Sequence, residues 1–305
     1  MSISVIIPTF NAQNYLPRLL ESLQNQTVDF ELIIIDSSST DNTLQIAKKY
    51  TKNIITIKKE EFDHGATRTK AATSATGDIV VFLTQDALPA SNDAIEKLTN
   101  ILIKNKDVGA VYGRQLPKND ASIFGEHLRY FNYPEKSYIK ELKDKDRFGL
   151  KCAFFSDSFS AYKKEVLEEL NYFKEGTIVG EDMHIVARML LKGYKKAYCA
   201  DAKVYHSHNY TVIEDFMRYF DTGVFHTKES WLIDKFGKAE GEGKRFVKSE
   251  FNFLLQKRAY YKIPEFFIRN GMKLLGYKLG KKYQNIPLSL AKKLSMHKAW
   301  WDKWA

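Results

Sequence analysis

The sequence predicts an α/β protein with a mostly parallel central sheet, helices on both faces of the sheet and a helical C-terminal extension. Short apolar runs alternate with amphipathic segments through the first third of the chain. This alternation is typical of β-α-β units, whose strands are buried on both faces. After Thr211 the pattern changes to helical segments separated by Gly and Pro.

The elements follow in a regular order. Five predicted strands lie at 4–7, 31–35, 53–57, 79–83 and 108–112, and the helices between them at 15–26, 41–50, 65–76 and 93–105. The pattern weakens from 113 to 151. A helix at 181–192 and a strand near 197–199 follow. We therefore divide the chain into an α/β domain, 1–230, and an extension, 231–305.

Composition excludes several classes of protein. The chain has 305 residues, of which 44% are hydrophobic and 28% charged. No run of about 18 apolar residues predicts a transmembrane helix, and the N-terminus enters a strand pattern without a basic leader. Cys152 and Cys199 are isolated, which argues against a disulfide framework or a zinc site and favours a reducing cytoplasm.

The net charge of +10 is unevenly distributed. From Lys235 to the C-terminus there are 17 Lys and Arg against 5 Asp and Glu, whereas the rest of the chain has 30 against 32. The whole basic surplus therefore lies in the last quarter, which indicates an anionic partner.

Polar residues recur where predicted strands end. Asp36 follows the second strand and Asp86 the fourth, and ligands of parallel sheets bind at the carboxyl ends of strands. For Ser39, Thr40 and Asp41 helix capping is the simpler interpretation. Neither a G-x-G-x-x-G nor a G-x-x-x-x-G-K-[ST] motif occurs, which argues against a dehydrogenase or a P-loop enzyme.

Four stretches carry a resemblance to a known family: "SVIIPTFN", "LIIIDSSSTDNT", "GDIVVFLTQDALP" and "GEDMHIVARMLLKGYKKAYCADAKVYHSHN". In this order, across residues 2–225, they resemble the family-2 inverting glycosyltransferases, which have the GT-A fold. "FDHGATRTKAA" and "FLTQDALP" are most similar to bacterial rhamnosyltransferases that use dTDP-L-rhamnose. Residues 1–230 then correspond to the catalytic domain.

The resemblance implies roles for individual residues. Asp182 matches the catalytic base, with Glu181 beside it, and Asp86 matches the last Asp of the D-x-D metal motif. Thr84 replaces the first Asp of that motif and Thr69 replaces an Asn that commonly follows the Arg. The implied nucleotide-sugar residues are Pro8, Thr9, Asn11, Asp36, Ser38, Arg68, Gln85 and Asp86.

The chemistry of inverting transfer suits these residues. A carboxylate must accept the proton of the attacking hydroxyl, and Asp182 opens a predicted helix behind Gly180. Complementing the helix dipole is the alternative role for Glu181 and Asp182. Negative charge on the leaving diphosphate must be neutralised by a divalent cation or by basic residues.

Histidines are candidates for the metal or sugar site. His206 and His208 follow a strand with alternate spacing, so both rings are expected on one side, beside Asp86, as ligands of Mg²⁺ or Mn²⁺. Direct hydrogen bonding to phosphate is the alternative. His64 is either a turn residue or a sugar contact. Asp157 falls where the family places acceptor and donor contacts; the alternative is the cap of a helix near Tyr162, a role that suits Ser160 better.

The basic extension predicts a surface that meets a membrane. Ile268, Met272, Leu275, Leu279 and Tyr283 share one helical face, and the chain ends in "HKAWWDKW". Basic residues beside Trp suit an anionic membrane and a lipid-linked acceptor. The alternative is that this face packs on the catalytic domain or on a second subunit.

We therefore expect a non-processive inverting glycosyltransferase that works in the cytoplasm, peripherally at the inner face of the cell membrane. The expected substrates are dTDP-rhamnose and a growing cell-surface polysaccharide. The alternatives are a hexosyl or N-acetylhexosaminyl transferase using a UDP-sugar, and a nucleic-acid-binding protein acting through its basic tail. The absence of a nucleic-acid-binding module makes us expect no nucleic acid partner.

Overall fold

A computed structural model describes residues 1–238 and 241–305. Its strands are β1 Ile3–Thr9, β2 Glu31–Asp36, β3 Ile54–Thr56, β4 Ile79–Leu83, β5 Leu88–Pro89, β6 Val108–Leu116, β7 Tyr138–Lys140, β8 Phe159–Lys163 and β9 Lys195–Tyr205. Its helices are α1 Leu16–Gln24, α2 Thr43–Ala47, α3 His64–Ser74, α4 Ala94–Lys104, α5 Ile123–Asn132, α6 Lys145–Phe148, α7 Lys164–Glu169, α8 Glu181–Leu191, α9 Val212–Lys228, α10 Ser230–Phe236, α11 Glu242–Gln256, α12 Ile263–Gly280, α13 Leu288–Leu294 and α14 Lys298–Trp304.

The strands form one sheet in the order β3-β2-β1-β4-β8-β6-β9-β5, and β7 also pairs with β9. Strands β1, β2, β3, β4, β6 and β9 run in one direction, and β5, β7 and β8 run in the other. The predicted mostly parallel sheet is therefore confirmed. Because the six strands are aligned, their carboxyl ends meet at one edge of the sheet, where ligands of such sheets bind.

The position of β8 differs from the sequence-based expectation. We predicted a helix beginning near Tyr162 with Ser160 as its cap, but residues Phe159–Lys163 form an antiparallel strand between β4 and β6. Ser160 pairs with Phe82, and the helix α7 begins only at Lys164. The capping interpretation of Asp157 and Ser160 was therefore wrong. Asp157 precedes β8. Because β8 runs antiparallel to β4 and β6, it starts at the edge of the sheet where those two strands end.

Both faces of the sheet are covered, because alternate side chains of the buried strands point to opposite sides. On one face, Val5 and Ile7 pack in a cluster that includes side chains of α1 and α4. On the other, Ile6 and Phe82 pack in a larger cluster that includes α3, α8, α9 and α10. Prediction of helices on both faces is confirmed.

The last helices belong to this second cluster. Trp300 and Trp301 are 7% and 3% exposed and join the core that contains Phe82. Of the two interpretations of this segment, contact with a membrane and packing on the catalytic domain, these two tryptophans agree with packing, because they are buried inside the protein. Along the described residues, 1–238 and 241–305, no helix combines the length and apolar character needed to cross a bilayer.

Helix α12 also buries a different face from the one we predicted. Its buried positions are Phe266, Arg269, Lys273, Gly276 and Gly280. The predicted face is split: Met272, Leu279 and Tyr283 are partly buried against the core, whereas Ile268 and Leu275 are largely exposed. The error arises because two small glycines and two salt-bridged basic residues, rather than large apolar ones, line the contact with α9 and α11.

Candidate active site

The loop after β2 is organised by Asp36. This residue is fully buried, and it lies in register with Thr9 at the end of β1. Its Oδ1 accepts hydrogen bonds from Thr9 Oγ1 at 2.9 Å and Ser39 Oγ at 2.6 Å, while Oδ2 accepts from the Ser39 amide at 2.8 Å. Asp36 therefore fixes the ends of two adjacent strands. Ser39, which we interpreted as a helix cap, serves this loop instead.

Asn11 and Ser38 hold the same loop from either side, and both have left-handed backbone conformations, with φ of 48° and 57°. The side-chain oxygen of Asn11 accepts from the Thr40 amide at 2.9 Å, and Ser38 Oγ donates to the carbonyl of Ile57 at 2.8 Å. Left-handed non-glycine residues are uncommon and concentrate at functional sites. The strand ends β1, β2 and β3 are thereby joined into one rigid platform.

Gln85 ties β4 to this platform. Its Oε1 accepts from the Phe10 amide at 2.8 Å, and its Nε2 donates to the Phe10 carbonyl at 3.2 Å. Pro8 lies within β1, one residue before Thr9, and is partly buried. The structure therefore brings Pro8, Thr9, Asn11 and Gln85 together with the Asp36 loop.

A second group of predicted residues surrounds the guanidinium of Arg68 on α3. Arg68 Nε lies 3.2 Å from Asp157 Oδ2, and its Nη1 lies 2.9 Å from Glu181 Oε1. Asp182 Oδ2 accepts from the Asp157 amide at 3.3 Å, and Oδ1 accepts from the Met183 amide at 2.6 Å. Two of the three carboxyl groups, Asp157 and Glu181, thus contact the same cation, and Asp182 does not.

This arrangement shifts the pKa values of all three carboxyl groups. Burial raises the pKa of Asp157 to about 6, although the charge of Arg68 acts in the opposite direction. Burial, together with the charges of Glu181 and Asp157, raises the pKa of Asp182 well above its ordinary value. Burial also acts on Glu181, but the charge of Arg68 prevails and the pKa of Glu181 is lowered. A carboxylate with a raised pKa is suited to accept a proton from a substrate hydroxyl.

Asp157 is held by four contacts in all. Besides Arg68 and Asp182, its Oδ1 accepts from Ser160 Oγ and Tyr162 Oη, each at 2.7 Å. These partners are on β8, which was not predicted as a strand. Asp157 is therefore a fixed part of the Arg68 cluster, and its backbone amide orients Asp182.

Asp86, His206 and His208 form a possible metal site. Each offers one ligand atom, and these atoms lie within 4.8 Å of one another. His206 Nε2 is 3.4 Å from Asp86 Oδ1, and the two imidazole rings are edge to face with centroids 4.7 Å apart. The expectation that both rings face one site agrees with this geometry. A carboxylate oxygen with two imidazole nitrogens fits a divalent cation such as Mn²⁺.

Residues behind His206 fix its orientation. His206 Nδ1 lies 2.9 Å from Gln115 Oε1, which accepts a second hydrogen bond from Arg129. Because a carbonyl oxygen only accepts, Nδ1 carries the proton and Nε2 presents its lone pair towards Asp86. Burial lowers the pKa of His206, which keeps the ring neutral. A neutral, oriented imidazole is the form that binds metals.

Lys118 was not identified from the sequence, yet it lies at this site. It follows β6, and its Nζ donates to Asp86 Oδ2 at 3.2 Å. Burial would raise the pKa of Asp86, but the positive charge of Lys118 stabilises the carboxylate, and the pKa of Asp86 lies well below the usual range. Lys118, Gln115 and Arg129 fall in the region 113–151, where the sequence pattern was too weak to place any element.

The metal cluster and the Arg68 cluster are neighbours. Gln115 Oε1 accepts from His206, and Gln115 Nε2 donates to Ser156 Oγ at 2.8 Å. Ser156 directly precedes Asp157, whose amide bonds Asp182. A short chain of contacts therefore connects Asp86 with Asp182. Asp36 accepts from Thr9, the next residue Phe10 bonds Gln85, and Gln85 directly precedes Asp86. The Asp36 loop therefore lies at the same edge.

His64 opens α3, directly after its cap Asp63. Its ring packs edge to face against His297, with centroids 5.3 Å apart. Burial lowers the pKa of His64, while the charge of Glu181 acts in the opposite direction. His297 comes from the extension and was not identified from the sequence, because we had assigned its surroundings to a membrane surface.

Fold and site together are those expected of a sugar-transferring enzyme. The chain belongs to glycosyl transferase family 2, whose sequence profile matches residues 4–171, and it is a glycosyltransferase. The resemblance drawn from the motifs is thereby confirmed.

Two curated relatives indicate which kind of glycosyltransferase this chain resembles. The chain is 50% identical to the O-antigen chain rhamnosyltransferase WbaN of Salmonella anatum over 304 residues, 99% of this chain and 96% of that protein. It is 47% identical to RfbN, an O-antigen chain rhamnosyltransferase of Salmonella typhimurium, over 305 residues and the same shares of both chains.

Solved structures agree on the fold. The mannosyltransferase PcManGT of Pyrobaculum calidifontis, in complex with GDP-Man and Mn²⁺, has a TM-score of 0.60 and 20% identity, covering 99% of this chain and 87% of its own. S. aureus TarS 1–349, in complex with UDP-GlcNAc, has a TM-score of 0.56 and 16% identity, covering 93% and 92%. At these identities the likeness supports the GT-A fold that we predicted.

Proposed function

We propose that this enzyme transfers L-rhamnose from dTDP-rhamnose, with inversion, onto a growing O-antigen-type surface polysaccharide. The observation that carries the proposal is the 50% identity to an O-antigen chain rhamnosyltransferase along 99% of the chain. Identity at this level over the full length includes the site and the extension, so it bears on substrate as well as on fold.

In the proposed reaction Asp182 is the general base. The acceptor hydroxyl attacks the anomeric carbon of the sugar and gives its proton to the Asp182 carboxylate, while the bond to the diphosphate breaks on the opposite side. The raised pKa of Asp182 matches this role because the residue then binds a proton more strongly. Arg68 forms its ion pairs with Glu181 and Asp157, so Asp182 has no direct contact with this cation.

Donor binding is assigned to the platform at the strand ends. We assign Thr9, Asn11, Asp36 and Ser38 to the nucleoside region, together with Pro8, Gln85 and Arg68. Asp36 is fully buried and its oxygens are already hydrogen-bonded, so its contribution is to hold the loop backbone that faces the nucleoside. His64 and Asp157 are assigned to the sugar region.

Asp86, His206 and His208 are assigned to a divalent cation, Mg²⁺ or Mn²⁺. When bound, the cation would neutralise charge on the leaving diphosphate. Lys118, which contacts Asp86, adds a fixed positive charge at the same place. Gln115 and Arg129 keep His206 in the tautomer that exposes Nε2.

We further propose that the acceptor is lipid-linked and that α12 meets the inner face of the membrane. Four large apolar side chains of this helix, Phe267, Ile268, Leu274 and Leu275, are 63%, 58%, 55% and 47% exposed. Lys278 lies in the last turn of the helix, and Lys281 and Lys282 follow directly after its end. An exposed apolar face flanked by lysines complements an anionic bilayer.

The site lies near this surface. Arg269, on the buried side of α12, donates to the Tyr210 carbonyl at 2.8 Å, and the Tyr210 ring packs on His208 with centroids 5.2 Å apart. A lipid-linked acceptor at the membrane would therefore be close to the possible cation site. The extension 231–305 is thus assigned as the membrane-facing part and 1–230 as the catalytic part.

The test is a transfer assay with the purified full-length chain, radiolabelled dTDP-rhamnose and a polyprenyl-diphosphate glycan acceptor. UDP-GlcNAc, UDP-glucose and GDP-mannose are run in parallel, and the configuration of the new linkage is determined by NMR. We expect transfer from dTDP-rhamnose with inversion of the anomeric centre. Transfer from a UDP-sugar but not from dTDP-rhamnose would contradict the donor assignment, and retention would contradict the mechanism.

A further inference from the structure

The last residues of the chain form one side of a cavity at the edge of the sheet. The cavity has a volume of about 430 Å³. One side consists of residues from the strand ends and α3, among them Phe10, Ser37 and His64, and the facing side consists of Met296, His297, Lys298, Trp300 and Trp304. We call residues 295–304 the C-terminal wall.

The C-terminal wall is held in place by the catalytic part of the chain. Asp221 Oδ2 on α9 accepts from the amides of Met296 at 2.9 Å and His297 at 3.3 Å. Trp300 Nε1 donates to the Gly176 carbonyl at 3.0 Å, and the Gly176 amide donates to Asp63 Oδ2 at 3.0 Å. Since Asp63 caps α3, the wall is connected to the helix that carries Arg68.

The cavity adjoins the platform assigned to the nucleoside. Phe10 follows Thr9 and bonds Gln85, and Ser37 follows Asp36. The Nζ of Lys59 lies 4.9 Å from the Phe10 ring centroid. The cavity thus combines an exposed aromatic ring with three lysines, Lys59, Lys298 and Lys303, against two acidic residues, Glu60 and Asp63. The aromatic ring suits a base, and the surplus of positive charge suits a diphosphate. Its volume lies in the usual range for small-molecule sites.

Among the residues of the C-terminal wall, His297 extends furthest towards the carboxyl groups around Arg68. Its ring contacts His64, and its charge, when present, acts on Glu181. Burial and the neighbouring His64 lower the pKa of His297 to about 3, so the ring is neutral and able both to donate and to accept hydrogen bonds. Lys298, at the start of α14, is exposed at the cavity.

We infer that the C-terminal wall completes the donor site and that His297 and Lys298 bind the nucleoside diphosphate of the donor. The inference rests on the proposed function, since it assumes a nucleotide-sugar donor. It makes the end of the extension a specificity-determining part of the site, so that donor binding needs both ends of the chain.

The test measures binding of dTDP alone to the full-length protein by isothermal titration calorimetry. His297→Ala and Lys298→Ala are compared with wild type and with Lys293→Ala, which removes an exposed lysine of α13 outside the cavity. We expect the Kd for dTDP to rise about tenfold in each wall variant, the usual effect of losing a hydrogen bond to a charged group. The control is expected to stay within about twofold of wild type.

Kinetics separate binding from a merely structural role. The donor KM is expected to rise in the wall variants, while the acceptor KM and kcat at saturating donor stay near wild type. His297→Gln, whose amide can donate and accept, is expected to recover part of the affinity. Equal melting temperatures of the variants would show that the wall is still folded.

The outcomes are distinguishable. If His297→Ala and Lys298→Ala bind dTDP as tightly as wild type, the inference is wrong although the proposed donor stands. Equal weakening in Lys293→Ala would also overturn it, because the effect would then be one of general charge. If the wild-type protein binds no dTDP while transferring from another nucleotide sugar, the proposed function itself fails.

Discussion

Asp182 gains its proposed role from what surrounds it rather than from its own hydrogen bonds. Arg68 contacts both Asp157 and Glu181, so one guanidinium is shared by two carboxyl groups and negative charge remains beside Asp182. Asp182 keeps only two backbone amides. A raised pKa follows from burial near uncompensated negative charge, which is a common way of tuning a general base.

The first prediction is that Asp182→Asn abolishes transfer. An amide of nearly the same shape keeps one of the two backbone contacts through its oxygen but cannot take a proton, so kcat should fall by at least about 10²-fold. The Kd for dTDP should change little. Loss of donor affinity with normal turnover at saturating donor would contradict the base assignment.

The second prediction concerns pH. A base must be deprotonated to act, so kcat/KM should fall as pH drops through the pKa of Asp182, at a pH above the ordinary carboxyl range. Glu181→Gln removes a neighbouring negative charge and leaves Arg68 less neutralised, and both changes lower the pKa of Asp182. The acid limb of the kcat/KM profile should therefore move to lower pH. A limb that stays in place would show that Glu181 does not act on the base.

The third prediction is that Asp86→Ala removes the effect of divalent cations on dTDP binding. Wild type should bind dTDP more tightly with Mn²⁺ than with EDTA, whereas the variant should bind equally weakly in both, because one of the three ligands is lost. The matched control is Asp107→Ala, which changes an exposed aspartate directly before the start of β6, at the edge of the sheet away from Asp86. An EDTA-insensitive wild type would refute the metal assignment.

At the scale of elements, the contact between α9 and α12 depends on glycine. A Cβ at Gly276 would overlap the carbonyl oxygen of Phe216, and one at Gly280 would overlap that of Phe220. The two helix backbones are therefore in close approach, which only glycine permits. Because α9 also holds Asp221, this packing positions the C-terminal wall as well as the membrane-facing helix.

The fourth prediction uses two glycines of the same helix. Gly280→Ala should lower the free energy of unfolding by about 2–3 kcal/mol, because α9 and α12 must separate to admit the methyl group. Gly271→Ala should raise it by about 0.5–1 kcal/mol, since no atom lies within 4 Å of its Cβ position and alanine favours helix. Urea denaturation measures both. Changes of the same sign would contradict the packing argument.

At the scale of the whole molecule, the catalytic face and the exposed face of α12 are linked through Arg269 and Tyr210. The apolar surface of α12 lies on the same side of the sheet as α3, α8 and the possible base, because α12 packs on α9. The geometry therefore suits an enzyme that takes its acceptor from a surface rather than from solution.

The fifth prediction tests this surface. Replacing Phe267 and Leu274 together by Asp should weaken binding to phosphatidylglycerol vesicles by at least about tenfold, because two large apolar side chains leave the interface and two negative charges enter it. Ile103→Asp, on α4 across the sheet and 44% exposed in wild type, is the control. Sedimentation with vesicles measures binding. Turnover with a water-soluble acceptor should be unaffected. If the wild-type protein does not sediment with the vesicles, the proposal is wrong.

The sequence by itself determined the α/β class, the helices on both faces and the family. Local apolar periodicity defines buried strands, and motifs such as "LIIIDSSSTDNT" place polar residues where strands end. These are short-range properties, so they can be read without knowing the fold. The gathering of Asp36 and Asp86 at one edge follows from the alignment of parallel strands and was expected from the sequence, whereas Asp182 comes from the first turn of α8 and contacts the amide of Asp157.

Only the tertiary structure decided how β8 pairs, which face of α12 is buried and where the last tryptophans lie. Ser160 and Tyr162 reach Asp157 through a strand that pairs with residues far along the chain, and His297 meets His64 across more than two hundred positions. Exposure of an apolar or basic residue depends on what packs against it, and a periodic pattern does not name that partner. For this reason "HKAWWDKW", which suggested a membrane surface, lies instead against the cavity of the proposed donor site. For the same reason Gly276 and Gly280, which have no side chains, lie where two helices approach closely.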